Sequence, residues 1–188
     1  MKIGFALCGS FCTMGQALEQ LKTLRDHGHE IVPIMSFNAS SINTRFGKAD
    51  DFCKRIEAIC GRRVIKTIED AEPFGPKEKL DLLVICPCTG NTLAKLASGI
   101  TDTPVTMAAK AHLRCDRPLL IALATNDALS ANLSNINAMQ KRKSVFFVPL
   151  VQDDPERKPH SLVCDFSSLP EACACSLEGK QLRPLFLN

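Results

Sequence analysis

Asp81-Leu82-Leu83-Val84-Ile85-Cys86-Pro87-Cys88-Thr89-Gly90-Asn91-Thr92-Leu93-Ala94-Lys95-Leu96-Ala97-Ser98-Gly99-Ile100-Thr101-Asp102 is the stretch on which the fold turns. Residues 82–86 form an unbroken apolar run between Asp81 and Pro87. Such a run is too short for a helix and, bracketed by turn residues, predicts a strand buried on both faces. Small polar residues follow, and then Leu93, Leu96 and Ala97 recur at helical spacing. Strand, tight polar loop and helix N-terminus in that order put the loop at the carboxyl end of a parallel strand, where α/β proteins bind ligands. Backbone N–H groups and hydroxyls there suit an anion, a phosphate or the polar edge of a ring.

Outward from this unit the same pattern repeats. Residues 2–8 read as a first strand, Gly9-Ser10-Phe11-Cys12-Thr13 as its loop, and residues 15–27 as a helix with Ala17, Leu18, Leu21 and Leu24 on one face. Gly28 ends that helix, and residues 30–35 are the second strand. This is the start of a Rossmann-like sheet. A helix over 48–60, a short strand from 62–65 and a turn or short helix at 68–72 come next. The prolines of Ala71-Glu72-Pro73-Phe74-Gly75-Pro76 exclude regular structure, leaving a shaped loop beside a ligand or a rigid linker. Downstream, Thr103-Pro104 caps a helix, residues 118–124 are a strand, 132–140 a helix and 144–151 the last strand of the sheet. The tail, 152–188, is loop-like with a closing helix at 169–177. The expected architecture is a three-layer αβα, flavodoxin-like parallel sheet in a single domain, 1–188, with its core in 1–151 and the tail packed on it.

Composition narrows the function. The 188 residues suit one domain with a substantial core. No apolar run approaches membrane-spanning length. A net charge of +3, with no Trp and no Tyr, gives nucleic-acid binding little support. Ten cysteines without a secretory signal point to a reducing cytoplasm, several of them inside apparent strands. His160, Cys164, Cys173 and Cys175 match no strong zinc spacing, so no metal is expected. The charge-poor segment 105–111 predicts an exposed contact face and a homo-oligomer.

Pro87-Cys88-Thr89-Gly90-Asn91-Thr92-Leu93-Ala94-Lys95-Leu96-Ala97-Ser98-Gly99-Ile100-Thr101-Asp102 resembles the signature of the FMN-binding flavoproteins related to cysteine-type decarboxylases. The resemblance is strongest to a branch acting in spore formers, and it covers nearly the whole chain. Besides the signature it rests on 71–76, 107–114, 125–129, Val148-Pro149, Gln152-Asp153 and Lys158-Pro159. It implies an oxidoreductase small subunit that forms a pyridine dicarboxylate from a dihydro precursor in the mother-cell cytoplasm. It also implies a larger partner subunit carrying NADP, and assembly into trimers or multiples of them. A non-catalytic flavoprotein-fold partner and an FMN-dependent decarboxylase of a small acid are the alternatives. Against decarboxylation, no His stands between His29 and His112, and the family's C-terminal cysteine loop has no counterpart.

The first loop lacks Gly-x-Gly-x-x-Gly, and Ser36-Phe37-Asn38, rather than an acid, ends the second strand. Hydroxyls and amides in those places suit a phosphate or a flavin edge better than an NAD ribose, although turn serines are the ordinary alternative. The expected FMN site is Gly9, Ser10, Phe11, Ser36, Cys88, Thr89, Gly90, Asn91 and Thr125. A dicarboxylate needs cations or N–H donors, for which Arg45, Lys48, Lys110, Arg114 and Asn126 are candidates. The resemblance puts Asn126 where the decarboxylases grip their substrate. Asp127, Glu72 or His160 is the candidate proton acceptor, with Asn126, Asp127 and Glu72 taken as the catalytic set.

Overall fold

The structure is a computed structural model and describes residues 1–187. β1 (Lys2–Leu7) runs from a half-buried Lys2 into a fully buried apolar stretch, and the chain returns through α1 (Met14–Asp26), which buries Ala17, Leu18, Leu21 and Leu24. β2 (Glu30–Met35) lies parallel outside β1. Pro33 has no N–H to give a neighbour, and β2 is an outer strand, touched beyond β1 by a single bridge to Ile65. That bridge is all that forms of the strand expected at 62–65. α2 (Phe37–Ser41), α3 (Ala49–Cys60) and α4 (Ile68–Ala71) follow, α3 closing on Gly61 in the left-handed conformation.

β3 (Leu82–Cys88) is buried at all seven positions: β1 and β4 (Leu119–Thr125) pair with its two edges in parallel, and helices cover both of its faces. Its register jumps between Ile85 and Cys88, around Pro87, which has no ladder donor. α5 (Gly90–Ser98) and α6 (Pro104–Leu113) lie between β3 and β4 in sequence. In α6, Thr103 and Thr106 cap each other's backbone reciprocally. The charge-poor face of α6 is not the free contact surface expected from the sequence. Val105, Ala108, Ala109 and Ala111 are buried, and α6 packs on α4 and the sheet, leaving Lys110 exposed. A buried helix and an interface helix give the same sequence pattern, since both avoid charge.

The sheet is parallel through β4 and mixed beyond it. α7 (Leu133–Gln140) leads to β5 (Val145–Phe147), parallel to the first half of β4. Residues 144–151 are not one strand: the ladder breaks at Val148-Pro149, and β6 (Leu150–Val151) leaves β4. The tail supplies β7 (Leu162–Cys164), antiparallel to both β6 and the end of β4, giving the order β2-β1-β3-β4-β7-β6 with β5 also on β4. α8 (Leu169–Leu177) then packs on β3, β4 and α1. α1 contacts α3 and α8 while α5 contacts α6 and α7, so helices form two layers about the sheet. No described helix is long and apolar enough to cross a membrane.

Candidate functional site

The loops leaving β1, β3 and β4 converge on a crevice of about 620 Å³, walled on its other sides by the turn at Arg45-Phe46 and the segment from Asp153 to Val163. A larger concavity, about 1070 Å³, lies against β5 and the C-terminal segment, away from all three loops. Position at the carboxyl ends of parallel strands, not size, identifies the smaller one as the candidate site.

Each loop is held by its own hydroxyls. After β1 the chain makes a 3-10 turn (Phe11–Thr13), with Thr13 Oγ1 3.0 Å from both Ser10 Oγ and Ser10 O. After β3, Thr89 caps α5: its Oγ1 accepts from Thr92 N at 3.2 Å and donates to Thr92 Oγ1 at 3.1 Å. Thr92 Oγ1 in turn donates to Cys8 Sγ at 3.3 Å, tying the end of the first strand to the helix after the third. Burial pushes the Cys8 thiol up to about 11, outweighing the hydrogen bond from Thr92 that lowers it, so it stays protonated. The first amides of α5, at Gly90 and Asn91, lie at the crevice with the positive end of the helix dipole behind them.

After β4 the chain turns on Asp127. Its Oδ1 accepts from Thr125 Oγ1 at 2.5 Å, and both carboxylate oxygens lie 2.9 Å from Asn132 Nδ2. Asn135 Nδ2 donates to Asn132 Oδ1 at 2.9 Å and fixes that amide's orientation. Gly90 sits against this cluster: a Cβ there would lie 2.5 Å from both Asn132 Nδ2 and Thr125 Oγ1. Only glycine lets the start of α5 approach the β4 loop so closely.

The remaining wall comes from the tail. Ser161 Oγ donates to Thr125 O at 3.3 Å, and Lys158 Nζ bonds Asp153 Oδ2 at 2.7 Å. Burial pushes the Asp153 carboxyl up, but hydrogen bonds from Lys158 and Ser161 and the Lys158 charge hold it below its ordinary value. A smaller niche of about 280 Å³ shares Gly9, Thr89 and Asn91 with the main crevice and adds Ser36, Asn38 and Lys95. There Ser36 Oγ accepts from Ala39 N at 3.3 Å, and Lys95 bonds both Asp102 oxygens at 2.9 and 2.8 Å.

Gly9, Ser10, Phe11, Thr89, Gly90, Asn91, Thr125, Asn126 and Asp127 therefore come together around one crevice, with Ser36 in the adjoining niche. Cys88 does not join them: it is fully buried at the end of β3, its thiol directed to Thr89 O at 3.6 Å. Glu72 lies elsewhere, exposed and 3.6 Å from Arg114, which removes both from the crevice. His160 is exposed and contributes its backbone carbonyl to Leu129 N, while Lys48 stands at the start of α3 and Lys110 on the exposed side of α6. Of the four cations considered, Arg45 alone lines the site. Asp153, Lys158, Ser161 and Phe46 also line it, on segments with no strand-end signature. The only sequence signal for them is Gln152-Asp153 and Lys158-Pro159, which carry part of the resemblance. Among the described residues no cluster of three or more His, Cys, Asp or Glu has a metal-site arrangement.

Comparison with known proteins agrees with this architecture. A profile of the Flavoprotein family matches residues 1–172. The chain is 44% identical over 187 residues to the dipicolinate synthase B subunit of Bacillus subtilis (strain 168), covering 100% of this chain and 94% of that one. The crystal structure of the dipicolinate synthase B subunit from Bacillus halodurans C superposes with a TM-score of 0.91 at 38% identity, covering 100% of this chain and 96% of the other. An FMN-dependent cysteine decarboxylase, SpaF, shares the fold with a TM-score of 0.70 at 23% identity, covering 95% and 97%. The chain belongs to the flavoprotein family, in the branch that holds the dipicolinate synthase B subunits.

Proposed function

We propose that this chain is the flavin-binding small subunit of a dipicolinate synthase and acts with a larger, nicotinamide-bearing partner. The observation that carries this reading is the convergence of three strand-end loops on one crevice in a flavoprotein fold. The residues present fit FMN. The crevice volume falls within the roughly 300–1,000 Å³ usual for cofactor sites. The free amides opening α5 and the hydroxyl of Ser10 supply donors, and Ser36 and Lys95 line the adjoining niche for a phosphate. A bound flavin supplies two-electron redox chemistry.

Aromatising a dihydropyridine dicarboxylate removes a hydride and a proton. Oxidised NADP on the larger partner would supply the hydride acceptor, and a base would take the proton. Every carboxylate lining the crevice is engaged: Asp127 by Asn132 and Thr125, Asp153 by Lys158. Among the described residues no imidazole lines it. This favours a division of labour in which this chain binds and orients the ring, and the proton acceptor comes from another chain. Asn126, in the lining, has a side-chain amide with no partner among the described residues and is the orienting group.

The test mixes purified chain with the larger partner and follows pyridine dicarboxylate formation. Asn126→Ala is expected to lower the mixture's activity about tenfold, the scale of one lost hydrogen bond to a charged group, while co-elution of the two proteins is unchanged. Full activity from either protein alone, or a flavin-free chain at tens of micromolar FMN, defeats the reading.

A further inference from the structure

Most polar side chains around the crevice are already bonded within the protein. Ser10 is bonded to Thr13, Thr89 to Thr92, Thr125 to Asp127 and Lys158 to Asp153. Among the described residues, the lining side chains without a hydrogen-bond or ion-pair partner include Arg45, Asn91 and Asn126. Of these only Arg45 carries charge.

Its backbone is held with unusual firmness for an exposed turn. Thr44 and Gly47 exchange both backbone hydrogen bonds, at 3.0 and 3.1 Å, and Phe46 N donates to Thr44 Oγ1 at 3.2 Å. Asn43 Oδ1 accepts from Ala49 N at 3.0 Å and fastens the turn to α3. Gly47, at φ 148°, lies so close to the Phe52 ring that a Cβ would come within 2.8 Å of it. The Arg45 guanidinium rests over the Phe46 ring, 4.9 Å from its centroid. This contact engages no N–H group, and none of the guanidinium's donors has a hydrogen-bond or ion-pair partner among the described residues. A rigid turn thus presents an unneutralised fork beside an aromatic face, in the wall of a crevice that Phe11 also lines.

We infer that Arg45 is a specificity-determining residue that receives one carboxylate of a planar ring dicarboxylate, with Phe46 against the ring. The inference rests on the proposed function and names its substrate contact. A fork–fork pair with a carboxylate uses the free edges of the guanidinium and requires no rearrangement of the turn. The cofactor's phosphate is the other anion that Arg45 would attract, but the niche that holds Ser36 and Lys95 is lined by neither Arg45 nor Phe46.

The experiment measures binding of pyridine-2,6-dicarboxylate and pyridine-2-carboxylate, and of FMN and riboflavin, to the full chain and to Arg45→Gln and Arg45→Lys. The full chain is expected to bind the dicarboxylate at least about tenfold more tightly than the monocarboxylate. Arg45→Gln is expected to bind the two acids within about twofold, Arg45→Lys to recover part of the difference, and both to keep the preference for FMN over riboflavin. Discrimination between the acids that survives in Arg45→Gln overturns the inference. So does a loss of FMN preference with acid discrimination intact, which assigns Arg45 to the phosphate. Absence of measurable dicarboxylate binding by the full chain, with or without FMN, overturns it too. A chain that binds no flavin yet loses acid discrimination on Arg45→Gln defeats the flavin reading and leaves the Arg45 assignment standing.

Discussion

Asp127 shows how tightly a side chain of the crevice can be bound into its own loop. Its carboxylate spans Thr125 and Asn132, and Gly90 packs close enough that a single carbon has no room. Gly90→Ala is expected to cost about 1–3 kcal/mol in stability by overpacking, and to weaken flavin binding because the β4 loop must shift. Urea denaturation beside a flavin titration checks both, and an unaltered variant on both counts would show that the loop yields freely. At this scale the strand-end positions were legible, since Ser10, Thr89, Gly90 and Thr125 lie just past apolar runs or at their ends. Cys88 was not: β3 is buried on both faces, so no alternation reveals where the strand stops. Glu72 was not either, because proline-rich segments have no periodicity from which a direction can be derived.

Elements were legible wherever their pattern was local. The apolar faces of α1 and α3 and the terminal glycines Gly28 and Gly61 marked helices to within a residue or two. What depended on distant partners was hidden. β7 is three residues long and exists because β4 and β6 flank it. The free edge of β5 is another such case. Gln181 stands in for a missing strand, its Oε1 accepting from Phe147 N at 2.8 Å and its Nε2 donating to Phe147 O at 2.7 Å. Gln181→Ala leaves that backbone pair unsatisfied, at about 1–3 kcal/mol, and opens a strand edge. The expected result is a lower denaturation midpoint together with concentration-dependent association in light scattering.

At the scale of the whole molecule, stability should depend on acidity through His112. The ring is fully buried, Nε2 lies 2.8 Å from Pro118 O, and Nδ1 has no partner among the described residues. Burial, assisted by the charge of Arg117 and opposed by the Pro118 carbonyl, pulls its pKa down to about 4. As pH falls from about 6.5 to about 4 the unfolded chain takes up a proton that the folded chain refuses, so stability falls with pH by up to roughly 3 kcal/mol. Denaturation midpoints from about pH 7 to about pH 4.5 should show the decline, and His112→Gln should flatten it. A wild-type curve already flat over that range would remove the buried imidazole as its cause. The overall architecture could be read from the order of strands and helices, while the closing of the sheet could not. That closing also sets an order in time. Asp153, Lys158, Ser161 and Val163 wall the crevice, and β7 seals the end of β4, yet all of them lie beyond the last parallel strand. During synthesis at about 5–20 residues per second, emergence of residues 152–177 lags the parallel core by roughly one to five seconds. For that interval the nascent chain lacks one side of the pocket whatever the rest has folded into, so a complete site exists only once the tail has emerged.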